Sequence, residues 1–281
     1  MDITQFSLAA FAASVVAGLL GSLLGLGGGV IVVPVLTLVF GIDIHYAVGA
    51  SIVSVIATSS GATTSVLRQG IANLRAGMLL EMATSTGAVV GAMAAAFVSS
   101  NFLYLIFGLM LTYSAGAMFR RRHADEAPNR ANDNWSKRLK LAGEYPDRAT
   151  GKVVRYGVVG VPVALVLMFV AGMASGLLGI GSGVLKVPAM DLAMKLPMKV
   201  STATSNFMIG VTAAAGAAVH FTHGDIVPLV AAPVALGVLA GAMVGGRTLG
   251  RLQSQSIRIV FIAVMVIISA QMAARGLGFN I

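Results

Sequence analysis

The chain has 281 residues, 57% of them hydrophobic and only 10% charged, with a net charge of +9 and no cysteine. Uncharged runs of about 20 residues exclude an ordinary soluble domain, and the lack of cysteine excludes disulfides, thiolate metal sites and cysteine nucleophiles. The positive charge is not a nucleic-acid footprint, because ten of the 19 basic residues fall between Arg120 and Arg155, interleaved with five acidic ones.

Five apolar segments open the chain: Phe6 to Leu26, Val30 to Phe40, Ala47 to Leu67, Ala76 to Val98 and Phe102 to Phe119. No Lys or Arg precedes Arg68, so the first segment lacks the basic lead-in of a secretory signal and is expected to be a retained helix. The second is about 11 residues long and spans about 17 Å, against a bilayer core of about 30 Å. It cannot cross alone. It is expected to be a half-helix of a re-entrant hairpin, or one extended by irregular backbone that protein or a water-filled cavity covers.

The polar segment 120–152 follows, with Arg120, Arg121, Arg122, Pro128, Asn132, Asn134, Trp135 and Pro146. It reads as a cytoplasmic loop with a short helix around Trp135 to Leu141. Five further apolar segments run from Val153 to Leu178, Val184 to Met194, Ser201 to Phe221, Ile226 to Thr248 and Ile257 to Ala274. The expected organisation is an N-terminal transmembrane repeat over 1–119, the loop over 120–152 and a C-terminal transmembrane repeat over 153–281.

The two halves are copies. Ala17 to Pro34 reappears as Ala171 to Pro188, an offset of 188 − 34 = 154 residues, with glycines breaking the apolar run at the same place. The same offset sets Ser51 on Ser205, Gly70 on Gly224, Gly87 on Gly241, Gly91 on Gly245 and Phe107 on Phe261. The Gly87/Gly91 and Gly241/Gly245 pairs have the spacing that lets two helices approach closely.

Charge orients the copies. In the first half the third-to-fourth connection carries Arg68 and Arg75 and the next carries none; in the second half the third-to-fourth connection, Thr222-His223-Gly224-Asp225, has no Lys or Arg, and the next carries Arg247, Arg251 and Arg258. Since cytoplasmic loops collect Lys and Arg, equivalent loops are expected on opposite faces. The expected fold is an all-α integral membrane protein of two inverted-topology repeats. Each has about five helical segments, with a short discontinuous helix after the glycine break. The central loop is then cytoplasmic, with Lys152, Arg155, Lys195 and Lys199 inside and both termini outside; Arg275 alone dissents.

The stretches Gly-Leu-Gly-Gly-Gly-Val-x-x-Val-Pro from Gly25 and Gly-Ile-Gly-Ser-Gly-Val-x-x-Val-Pro from Gly179 are each followed by a small, hydroxylated run, Ala50-Ser51 or Thr202-Ala203-Thr204-Ser205-Asn206. With these motifs the chain resembles the TauE/SafE sulfite exporter family, also known as toluenesulfonate uptake permeases. The resemblance covers both halves. It implies a multi-pass transporter for small sulfur-containing anions such as sulfite, thiosulfate or an organosulfonate like sulfoacetate, with the signature segments facing each other near the membrane centre.

The residues are compatible with that chemistry. Gly27, Gly28 and Gly29, and Gly181, Ser182 and Gly183, can offer amide donors at the start of a short helix, where the positive helix end suits a sulfonate. Lys186 stands where the first copy has Val32. A charge there costs about 2.5 to 3.5 kcal/mol, so it should snorkel, pair with an acid or bind the substrate anion. The third segment of each half adds Ser51, Ser54 and Thr58, or Thr202, Thr204, Ser205 and Asn206, unless these merely bond their own helix. Glu81, opposite Ala235 in the repeat, can carry a coupling proton or pair with Arg75 or Lys186. His45, His220 and His223 are expected to be solvated near the outer interface.

No metal-ligand spacing is present, and Asp43 stands too close to Gly29 for a dinucleotide fingerprint. No cofactor and no nucleic acid are expected; the partners are the anion and membrane lipid. Secondary transport by alternating access leads, with an anion channel as the alternative. An intramembrane enzyme would need a nucleophile and base that the buried inventory does not supply.

Overall fold

A computed structural model describes residues 3–120, 133–147, 150–251 and 254–277. Arg121, Arg122, Pro128 and Asn132 of the expected loop lie outside the described residues. The first half comprises α1 (Ile3–Leu24), the short α2 (Gly29–Pro34) continued as a wider π turn over Val35–Val39, α3 (Ile44–Arg68), α4 (Leu74–Ala95) and α5 (Ser100–Arg120). The second comprises α7 (Val161–Leu178), α8 (Gly183–Leu192), α9 (Met198–Thr222), α10 (Pro228–Thr248) and α11 (Ser254–Gly276). Helices α1, α3, α4, α7 and α10 are long and apolar enough to cross a membrane.

Local chemistry sets the boundaries. Asp43 caps α3 by accepting from the His45 amide at 2.9 Å, and Asn73 caps α4 by accepting from the Ala76 amide at 3.0 Å. Helix α7 ends at Gly179, whose φ of 66° is the left-handed C-cap conformation. Pro34 cannot donate an amide, and the chain widens into the π turn directly after it.

Glycine packing gives the helices their directions. A Cβ at Gly237 would lie 2.4 Å from the Phe11 carbonyl oxygen, one at Gly241 1.9 Å from that of Val15, and one at Gly245 2.6 Å from that of Leu19. Contacts advance four for four, so α1 and α10 run the same way. Gly87 against Phe169 and Gly91 against Met173 do the same for α4 and α7. Helix α3 follows α10, from Gly49 at Asp225 to Gln69 at Gly246, and α4 follows α9, from Asn73 at Thr204 to Glu81 at Thr212. Between α3 and α9 the contacts run in opposite senses, Thr63 and Ser59 meeting Asn206 while Val55 packs with Ile209 and Ala213. Thus α1, α3 and α10 point one way, and α4, α7 and α9 the other.

Each short helix brings the chain back to the face its long partner left. The rings of Phe6, near the start of α1, and Phe40, just past the π turn, meet edge-on at 5.2 Å. In the second half the Val159 amide, just before α7, donates to the Met194 carbonyl, just after α8, at 3.3 Å. In both pairs the start of the long helix and the end of the short one lie together.

The central segment holds more than a loop. Helix α6 (Asn134–Leu139) matches the expected short helix, and an antiparallel hairpin follows, β1 (Gly143–Asp147) with β2 (Lys152–Tyr156), Tyr145 lying opposite Val154. The apolar stretch expected to begin a helix at Val153 is therefore strand first, and α7 starts only at Val161. The hairpin docks on the end of the bundle where α4 and α9 begin. Asn73 Nδ2 donates to the Leu141 carbonyl at 2.7 Å and to the Tyr156 hydroxyl at 3.2 Å, and the Lys199 ammonium of α9 pairs with Asp147 of β1.

Candidate functional site

The two glycine breaks meet at the centre of the bundle. Gly25, Gly27 and Gly28 have φ of 71°, 84° and 71°, and the positions 154 residues on, Gly179, Gly181 and Ser182, have 66°, 73° and 57°. At Gly27 and Gly181 glycine is required on two counts. The backbone is left-handed, and a Cβ would press on the opposite half's centre, 2.9 Å from Ile209 Cδ1 at Gly27 and 2.5 Å from Val55 Cγ1 at Gly181. Gly28 and Ser182 then sit at the N-caps of α2 and α8, with Gly29 and Gly183 as first helical residues. Gly27, Gly28, Gly29, Gly181, Ser182 and Gly183 are all buried.

Each break is held by a serine of the other half. Ser51 Oγ donates to the Gly179 carbonyl at 2.7 Å, and its repeat equivalent Ser205 donates to the Gly25 carbonyl at 2.6 Å. Ser51 lies near the start of α3 and Ser205 near the start of α9, so the two bonds are displaced toward opposite faces. Between them Val55 and Ile209, also 209 − 55 = 154 residues apart, form a small apolar plug with Ala213. The repeat offset pairs these two, but as apolar residues in apolar helices they offered no compositional contrast to single them out.

The hydroxyls of α3 divide between roles. Ser54 donates to its own helix at Ser51, whereas Thr58 lies 2.9 Å from both its own helix, at the Ser54 carbonyl, and the Gly27 carbonyl. On α9, Asn206 Nδ2 donates to the Ser22 carbonyl at 2.6 Å. Asn206 Oδ1 and the hydroxyls of Ser201 and Thr202 are buried with no hydrogen-bond partner among the described residues. Thr202 packs on Gly25, its Cγ2 3.2 Å from where a Cβ there would be. Unpaired buried polar atoms are uncommon, and two of these residues, Thr202 and Asn206, contact the first half's turn at Gly25 and Ser22 just before it.

Lys186 does not snorkel. Its side chain is fully buried, and its ammonium lies 3.2 Å from Glu81 Oε2 and bonds the Thr212 hydroxyl. Glu81, 7% exposed, also accepts from Ser85 at 2.8 Å and from Thr212, with Thr84 Oγ1 3.2 Å from Oε2. Of the partners the sequence allowed Glu81, it takes Lys186; Arg75 instead donates to the Lys140 carbonyl at 3.2 Å. The repeat equivalents of Lys186, Glu81 and Thr212 are Val32, Ala235 and Thr58. The charge stands on one side of the pseudo-symmetry only.

Two further residues depart from expectation. His220 is not solvated: it is 1% exposed, with Nδ1 2.8 Å from Asp225 Oδ2 and Nε2 2.8 Å from the Gly176 carbonyl. Arg275, the one basic residue against the charge rule, donates to the Thr37 carbonyl at 2.6 Å and lies 5.4 Å over the Tyr104 ring, so a protein acceptor and an aromatic face hold it.

The family described as Sulfite exporter TauE/SafE matches residues 10–272. The chain is 27% identical over 269 residues to the probable membrane transporter protein YunE of Bacillus subtilis strain 168, spanning 93% of this chain and 95% of that one. It is 25% identical over 230 residues to the probable membrane transporter protein YdhB of the same organism, spanning 82% and 85%. To a probable membrane transporter protein of Xylella fastidiosa it is 26% identical over 233 residues, spanning 82% and 79%. No solved structure matches the chain.

Proposed function

The chain belongs to the sulfite exporter TauE/SafE family, and from that premise we propose that it is a secondary transporter moving a small sulfur-containing anion across the cell membrane by alternating access. One observation carries the reading: two glycine turns, each opening a short helix, meet in the middle of a helical bundle, each gripped by a serine of the opposite half. Helix N-termini present amides without intrahelical partners, which suit an anion whose charge is spread over several oxygens.

The halves are inverted-topology repeats in this reading. The opposed directions of α3 and α9, and of the helices that follow each, support it. So do the re-entrant pairs, which leave three full crossings per half. With the basic connections inside, the central segment is cytoplasmic and both termini are outside. Opening toward the outer face breaks the Ser51–Gly179 bond and keeps Ser205–Gly25; opening inward does the reverse. Withdrawal of Val55 and Ile209 then exposes the amides of Gly28 and Gly29 and of Gly181 to Gly183, with Gly27, Ser51, Ser205 and Asn206 at the rim; the Gly27 amide itself donates to the Gly21 carbonyl at 3.4 Å. The unpaired Thr202 hydroxyl and Asn206 Oδ1 support a polar occupant near Gly25.

The test is a stabilisation panel of sulfite, thiosulfate, sulfoacetate and taurine against the purified protein, followed by flux into proteoliposomes. Stabilisation by anions, with saturable counterflow, is expected. Stabilisation by cations or neutral solutes alone would sink the anion assignment, and unsaturable conduction would replace the transporter by a channel.

A further inference from the structure

We propose that Glu81 and the transported anion compete for one buried cation, Lys186, so that protonation of Glu81 hands the lysine to the anion and binds proton and anion together. The proposal rests on the anion-transport reading above and names its coupling ion.

The starting observation is the asymmetry of the site. Removing an ion pair from water costs several kcal/mol per ion, and apolar residues of similar volume often serve packing as well or better. The chain makes that substitution in its own other half, where Val32 and Ala235 occupy the equivalent positions and the threonine alone is kept, as Thr58. Packing at this level of the bundle therefore does not require charge. Yet the second half keeps a fully buried lysine and a carboxylate 3.2 Å away.

The surroundings suit both protonation states. Thr212 and Ser85 donate to the carboxylate; once Glu81 carries a proton, its O–H can donate in turn, because each hydroxyl can also accept. Of the three N–H donors on Lys186, Glu81 and Thr212 engage two. The lysine backbone amide bonds the Ser182 carbonyl at 2.8 Å, so the ammonium is carried one turn from the Gly181–Gly183 break. Other titratable groups on the packed elements are few: α5, against α8, carries Tyr104, Tyr113 and Arg120. Helix α7 contributes none. Helix α8 contributes only Asp191 beyond Lys186, and α9 contributes Lys199 on Asp147 and His220 on Asp225, toward its two ends. Arg75, on the first turn of α4, donates to the Lys140 carbonyl.

The cycle balances. With the pair closed, Lys186 is an ammonium and Glu81 a carboxylate, and the site is neutral. A proton from the open face binds a Glu81 oxygen, the ammonium loses its counter-charge, and an entering monoanion restores neutrality. Loss of that proton to the other face re-forms the carboxylate, which recaptures Lys186 and expels the anion. One proton travels with each anion, in the same direction.

The experiment measures binding of methanesulfonate and of isethionate, monoanions neither of which titrates between about pH 5.5 and 8.5, to the detergent-purified full chain, with a pH dye reporting protons taken up. Expected for the wild type is tighter binding at the lower pH, by up to about tenfold per pH unit, with close to one proton absorbed per anion. Glu81→Gln should bind independently of pH, at least as tightly as the wild type at low pH, and absorb no proton. Lys186→Met should lose binding at both. Binding to the wild type without pH dependence or proton uptake overturns this proposal and leaves the anion reading standing. Failure of every anion to bind the wild type at either pH overturns both. The wild-type measurement decides even if Glu81→Gln does not fold.

Discussion

Ser51 and Gly179, in opposite halves of the chain, are joined by a 2.7 Å hydrogen bond from the serine hydroxyl to the glycine carbonyl. Its counterpart, Ser205 on Gly25, lies toward the opposite face of the bundle. Loss of a buried donor that leaves a carbonyl unsatisfied costs about 1–3 kcal/mol, enough to tilt a balanced two-state equilibrium. Ser51→Ala and Ser205→Ala should therefore shift accessibility in opposite directions. The chain has no cysteine, so single reporters can be placed at the repeat-equivalent positions Val48, which packs on Gly179, and Thr202, which packs on Gly25. Ser51→Ala should raise thiol labelling of Val48→Cys, and Ser205→Ala that of Thr202→Cys. Equal changes at both reporters would show that the bonds hold the fold rather than gate it.

The α4–α7 contact predicts a sharp contrast between glycines. A Cβ at Gly91 would fall 1.9 Å from the Met173 carbonyl oxygen, whereas one at Gly116 on α5 meets nothing within 4 Å. Gly91→Ala must force two backbones apart and should destabilise by about 1–3 kcal/mol. Gly116→Ala should be neutral or stabilising, by up to about 1 kcal/mol of helix propensity. Thermal unfolding in detergent compares them.

Lys199 and Asp147 tie the hairpin to the base of α9 with almost no solvent exposure, at 1% and 10% of side-chain surface. Breaking a buried pair by removing one partner costs about 3–5 kcal/mol, because the other charge stays behind. Lys199→Met should lower the unfolding temperature and speed proteolysis of the 133–156 region, and Lys199→Met with Asp147→Asn should recover much of the loss. Unchanged proteolysis in Lys199→Met would show that the hairpin is held by other contacts.

Tyr156 of β2 carries a pH prediction. Burial pushes its phenol up from 10.0 to about 12, against the opposing effect of the hydrogen bond from Asn73. A raised folded value means that the contribution to stability is complete below about pH 10 and is lost as pH climbs through about 12. The tyrosinate absorbance titration of the wild type minus that of Tyr156→Phe should isolate a component ionising near the upper value. A difference centred on the ordinary tyrosine range would overturn the burial of this hydroxyl.

The parts of this fold written twice could be read from the chain. The glycine breaks, the short lengths of α2 and α8, and the Ser51/Ser205 equivalence all follow from one offset, and a second copy turns a weak local pattern into a consistent one. What is written once was harder. Strand β2 is five residues, Lys-Val-Val-Arg-Tyr, and its two valines run on toward the apolar start of α7, so helix and strand could not be told apart by hydropathy. Lys186 and Glu81 were each visible as costly charges, but a pairing across 105 positions depends on how α4 packs against α8 and α9. His220 reads as an interfacial residue in the sequence because its partners come from α7 and from beyond the end of its own helix.

The crossed serines also bear on whether the halves could ever have been independent. Ser51 and Ser205 each find an acceptor in the other half, and the carbonyls of Gly179 and Gly25 each take their serine donor from there. A half made alone would bury one hydroxyl without a carbonyl and one carbonyl without a hydroxyl, beside a re-entrant loop whose covering surface was missing. Two such fragments complete one another, and neither completes itself. The central segment is thus the place where the chain could be cut while its folding unit remained the reunited whole.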